Sequence, residues 1–146
     1  MKKLSVVMLL FAGIVFILFS CKDSGNKPSA NRDTPGKPVI EILYMNHGPL
    51  QPVLAELRKV LGQFENDIIV EWHDFDLDQE FKVKKQIDVH VPLAIWINNE
   101  SSITINSSKI RLTGFPKNHG PVFAQGTWSM EDLKKGVDTA VKESKK

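Results

Sequence analysis

The chain predicts an α/β domain over residues 38–146, and three patterns carry that reading. A short apolar run bounded by turn signals, PVIEILYM at 38–45, gives way at Pro52 to the helical stripe Val53, Leu54, Leu57, Val60, Leu61 and Phe64. A second apolar run, IIVEWHDF at 68–75, follows. A strand-helix-strand order needs a crossover, which leaves the two strands parallel. The third pattern is a closing antiparallel pair and helix, giving an expected central mixed sheet of about four strands flanked by helices.

Each element has its own justification. In the first strand Glu41 is the anomaly, an acid inside an apolar run. Pro52 suits the first turn of the helix, where its missing N–H costs nothing, and Glu56, Arg58, Lys59 and Gln63 form the polar face. Residues 76–86 read as a short polar helix or turn with Leu77, Phe81 and Ile87 inward. VPLAIWI at 91–97 reads as a buried strand led by proline, where proline is tolerated. Asn98 to Ser102 turns the chain into extended segments at 103–105 and 109–113. Ser129 caps a final helix with Asp132 at capping-box spacing and Leu133, Val137 and Val141 on one face. The closing residues 142–146 are expected to fray in solvent.

Ahead of the domain lie two segments of different character. MKKLSVVMLLFAGIVFILFSC has Lys2 and Lys3, an apolar run and a small residue before Cys21, the layout of a secretory signal at residues 1–20. The pattern Leu18-Phe19-Ser20-Cys21 resembles a bacterial lipobox. That resemblance implies cleavage before Cys21 and lipidation of its sulfur, hence a bacterial cell-envelope protein held to membrane lipid with its domain on the exported side. An uncleaved membrane anchor is the alternative. Lys22 stands where some bacteria use aspartate to retain lipoproteins in the inner membrane, so the outer membrane is slightly favoured. Residues 21–37, which include Pro28 and Pro35, read as the lipidated cysteine and a flexible tether.

Cysteine usage and charge then exclude function classes. Cys21 is the only cysteine, and dithiol exchange needs an attacking thiolate, so thiol redox chemistry by this chain alone is excluded. Removing residues 1–20 takes away two of the 19 basic side chains and none of the 17 acids, leaving 17 of each sign. A neutral, mixed surface argues against nucleic acid as a partner. No grouping of serine, histidine and aspartate, phosphate-cradling glycine loop or paired-carboxylate motif is present, and no enzymatic activity is expected.

Three stretches now resemble the thioredoxin superfamily over residues 38–143: PVIEILYM leading into HGPL, IIVEWHDFD, and VHVPLAIWINN. The spacing of 43 residues from Pro49 to Pro92 agrees. The resemblance implies a thioredoxin-like fold in which His47 and Leu50 stand at the two cysteine places and Gly48 and Pro49 match outright. Pro92 would be the cis-proline, and Glu41 the buried acid, its carboxyl raised by desolvation and hydrogen-bonded to a polar neighbour. Both cysteines are replaced, and the loop from 113 to 129 is longer than the family's.

Two functions remain in view. The family's cis-proline edge holds extended peptides, which implies a binding or assembly module for an envelope protein or peptide, a mode resembling strand addition. The alternative is a divalent transition metal at His47, His90 and His119, which the topology is expected to gather at one end of the sheet, with Asp88 or Asn46 completing the set. Asn-His-Gly-Pro occurs twice, at 46–49 and 118–121, and also reads as turn chemistry, with glycine supplying positive φ. His73, Trp72, Trp96 and Trp128 read as packed side chains, although Trp128, Phe115 and Phe123 together would make an exposed apolar patch.

Overall fold

A computed structural model describes residues 36–146. The signal at 1–20, Cys21 and nearly all of the tether lie outside the described residues. No helix of the described residues is long and apolar enough to cross a membrane.

Strand β1 (Val39–Tyr44) leads through a short 3₁₀ turn (Gly48–Leu50) into helix α1 (Gln51–Gly62), which has its proline in the first turn. Strand β2 (Ile69–Asp74) runs parallel to β1, pairing Glu41 with Glu71 and Leu43 with His73. Helix α2 (Gln79–Lys84) is capped by Asp78, which accepts from the Phe81 amide. Strand β3 (Leu93–Ile97) returns antiparallel to β1, so the sheet order is β2-β1-β3.

The expected four-stranded sheet is corrected to three strands plus a separate hairpin, β4 (Ser102–Ile105) with β5 (Ser108–Arg111). The cause lies in two tight turns. Asn98 and Asn99, then Asn106 and Ser107, all carry φ between 49° and 72°, the pairwise positive φ of a type I′ connection. The first turn returns the chain for one bridge, Ile97 with Glu100, before the hairpin swings away. The chain rejoins β3 only after β5, where Ile95 donates to the Leu112 carbonyl at 2.9 Å and Gly114 to that of Leu93 at 2.8 Å.

Strand alternation divides the core. Ile40, Ile42, Leu93, Ile95 and Ile97 face α1 and helix α3 (Met130–Ser144), whose Leu133, Val137 and Val141 join the same cluster. Leu43, Ala94 and Trp96 face the other way, onto Phe81 of α2. The result is a three-layer α/β/α packing. Leu77, expected inward, is 79% exposed because it lies in the turn before α2, whose six residues turn only Phe81 fully inward. The expected fray at 142–146 begins later, since α3 runs to Ser144 with Lys145 bonded to Asp67 at 2.8 Å.

The capping box at α3 forms in full: Asp132 N–H donates to Ser129 Oγ at 3.2 Å, and Ser129 N–H to Asp132 Oδ2 at 2.9 Å. Ser129→Ala is expected to cost about 0.5–2 kcal/mol, read as a lower urea midpoint with an unchanged slope. A midpoint unmoved by the substitution would refute a stabilising cap.

Candidate functional site

The loops at the C-terminal end of β1 supply the first group of candidates. Met45 is buried and donates its amide to the Pro92 carbonyl at 3.0 Å, fixing the start of β3 beside the end of β1. His47, Gly48 and Pro49 are exposed, whereas Leu50 is 1% exposed and anchors the turn in the core. The two positions that the resemblance assigns to cysteines therefore differ in access. The peptide bond before Pro92 is trans, as is every other bond among the described residues, which corrects the cis-proline expectation. Trans is the intrinsic preference of an X–Pro bond by roughly 0.5–1 kcal/mol.

The repeated tetrapeptide adopts two conformations. At 46–49 no residue has positive φ and Gly48 lies in the 3₁₀ turn. At 118–121 both Asn118 and Gly120 do, at 66° and 63°. An added Cβ at Gly120 would sit 2.3 Å from the Phe115 ring, so glycine is required there on two counts.

The expected histidine cluster does not form. His47 Nε2 lies 3.7 Å from Asp76 at an exposed position, His90 meets the edge of Phe75 at 5.3 Å, and His119 Nε2 bonds Glu56 of α1 at 2.9 Å. Asn46 is engaged by Gln51 at 2.9 Å. Each loop folds back on its own neighbour, so the metal reading through His47, His90 and His119 is withdrawn. Among the described residues, Glu41, Glu71 and His73 are the one group of three such side chains with ligand atoms all within 4.8 Å of one another.

That group, on the α2 face of the sheet, was not legible as a site in the sequence. Register brings it together, since Glu41 pairs with Glu71 and His73 stands two residues further on. Lys85 Nζ reaches Glu41 Oε2 at 2.5 Å and Asn99 Oδ1 at 2.5 Å, and Lys84 reaches Glu41 Oε1 at 3.3 Å. Burial, the largest influence, pushes the Glu41 carboxyl up, but Lys85 and then Lys84 outweigh it and hold it below its ordinary value. The expected upward shift is thereby corrected. Lysine ammonium already fills the place a cation would take beside Glu41. His73 stacks on Phe81 with centroids 3.6 Å apart and its Nδ1 is 2.8 Å from Asp78. Its buried Nε2 has no hydrogen-bond partner among the described residues and lies 3.8 Å from Glu71.

The loop at 113–129 is built as a folded unit rather than a slack link. Phe115 N–H donates to Ala124 at 2.9 Å, Gly126 N–H to Phe115 at 2.7 Å, and Lys117 N–H to Trp128 at 2.7 Å. Trp128 is fully buried and Phe115 5% exposed, so neither contributes to the expected aromatic patch. Val122 and Phe123, in a 3₁₀ turn (Val122–Ala124), are instead 85% and 93% exposed. No protein-family model matches the chain, and no curated protein matches it.

Proposed function

We propose that this is a lipid-anchored, thioredoxin-like envelope protein without thiol chemistry that binds a protein or peptide partner through the loops at the C-terminal end of β1. The observation that carries the reading is Val122–Phe123, two large apolar side chains held outward by a hydrogen-bonded loop. That loop leaves the sheet beside Leu93, the residue paired with Tyr44 at the end of β1. The His47-Gly48-Pro49 turn is at the same end.

Position along the sheet supports this. Pro38 leads into the start of β1, whose six residues span about 20 Å, and the 113–129 loop leaves the sheet beside the other end of that strand. The three-layer packing, with α1 and α3 on one face of the sheet and α2 on the other, supports the thioredoxin-like reading. The absence of any cysteine after Cys21 is what makes binding, rather than exchange, the reading.

A photo-crosslinking residue in place of Phe123 should yield one discrete adduct in intact cells, and the same residue at exposed Lys134 on α3 should not. Equal labelling from both positions, or none from either, would overturn the proposal.

A further inference from the structure

The outer edge of β2 carries a second surface, independent of the loops. β2 is the edge strand in the order β2-β1-β3, and no strand pairs with its outer side among the described residues. The ladder to β1 includes Ile69 N–H to the Pro38 carbonyl and Phe75 N–H to that of Tyr44, at 2.9 and 2.8 Å. Those bonds point the odd-numbered residues of β2 inward and leave the backbone N–H groups of Val70, Trp72 and Asp74 directed outward. An unblocked edge of this kind is a template for another strand. Arg58 lies over the Trp72 ring at 4.9 Å, and a groove of about 230 Å³ lined by residues including Arg58, Leu61 and Trp72 runs beside the edge.

We infer that this edge pairs with β2 of a second copy of the chain, antiparallel about a two-fold axis at Trp72, making a continuous six-stranded sheet. Side-chain pairing selects the occupant and the register. With Trp72 opposite Trp72 of the second copy, Val70 meets Asp74, and Glu71 of each copy stands opposite His73 of the other. The Glu71 carboxylate of one copy can then accept a hydrogen bond from the His73 imidazole of the other. His73 Nε2, buried and without a hydrogen-bond partner among the described residues, lies on this same face. A shift of the axis to Glu71 would oppose two carboxylates, which is unfavourable. The Trp72 register makes all the outward N–H groups donors to the second copy, and like any pairing about a two-fold axis it is self-complementary.

Disulfide mapping tests the axis directly on the full chain in detergent micelles, with Cys21→Ser removing the native thiol. Residues directly opposed in a hydrogen-bonded antiparallel pair have Cα atoms about 5.5 Å apart, within the disulfide range. Trp72→Cys should therefore oxidise to a dimer, whereas Val70→Cys and Asp74→Cys should each stay monomeric alone and link only when mixed. The mixed pair keeps Trp72 and decides the question even where Trp72→Cys misfolds. Adding Val70→Pro, which removes an outward N–H that β1 does not use, should lower the yield of the Trp72→Cys dimer by about tenfold or more. Absence of the mixed Val70–Asp74 crosslink, or a Glu71→Cys dimer in its place, would overturn the inference. The edge would then be left to the chain's own tether or to a foreign strand.

Discussion

Glu41→Gln is expected to destabilise the domain by about 3 kcal/mol, at the low end of the 3–5 kcal/mol for breaking a buried ion pair. The Glu41 and Lys85 side chains are 7% and 5% exposed, so solvent can do little for a lone ammonium. Lys85 would keep Asn99 Oδ1 and its positions 5.1 Å from Trp96 and 5.4 Å from Phe81, which is why the low end applies. Glu41→Gln combined with Lys85→Met removes both charges and should recover most of the loss, since apolar replacement of a whole buried pair is often neutral.

The same pair fixes a pH dependence. Glu41 titrates below its ordinary value of 4.5 in the folded protein, so its contribution is complete above about pH 4.5 and disappears as pH falls through the lowered folded value. Urea midpoints of the wild type and Glu41→Gln should therefore differ most at neutral pH and converge on acidification. A constant gap across that range would show that Glu41 stabilises by packing rather than by charge.

What was readable in the sequence follows the range of the interactions. The α1 stripe, the Ser129-Asp132 capping box and the parallel β1–β2 pair depend on periodicity and local chemistry, and all three appear where the residues place them. Glu41 stood out as an acid inside an apolar run, and its burial, 5% exposed, was what the thioredoxin resemblance implied. Its partners were not, because Lys84 and Lys85 are 43 and 44 residues away and reach it only once α2 is laid across the sheet. The histidines show the same limit. Chain order puts His47, His90 and His119 near one end of the sheet, but ligation needs agreement within an ångström or so, and nearby carboxylates and rings capture each one separately. Sheet closure failed for another reason: two consecutive type I′ turns are a local signal, but how far a strand continues after such a turn depends on the sheet it meets.

Trp128→Ala should produce the largest single loss, about 3–5 kcal/mol, the usual range for deleting a fully buried large aromatic side chain. The indole fills the core between the sheet and α3, and its Nε1–H also donates to the Thr113 and Gly114 carbonyls at 3.2 and 3.3 Å. Those carbonyls are where the 113–129 loop leaves the sheet. Trp128→Phe separates the two roles, because it keeps most of the apolar volume and removes the donor, at an expected cost of about 1–3 kcal/mol for the unsatisfied carbonyls together with the lost packing. Hydrogen exchange supplies the discriminating readout. Loss of the donor should release the amides of Phe115 and Gly126, which close the loop on itself, while those of β1 keep their protection. A Trp128→Phe variant with unchanged exchange throughout the loop would mean that the indole N–H does not hold the segment. The outward placement of Val122 and Phe123 would then rest on the backbone bonds of the loop alone.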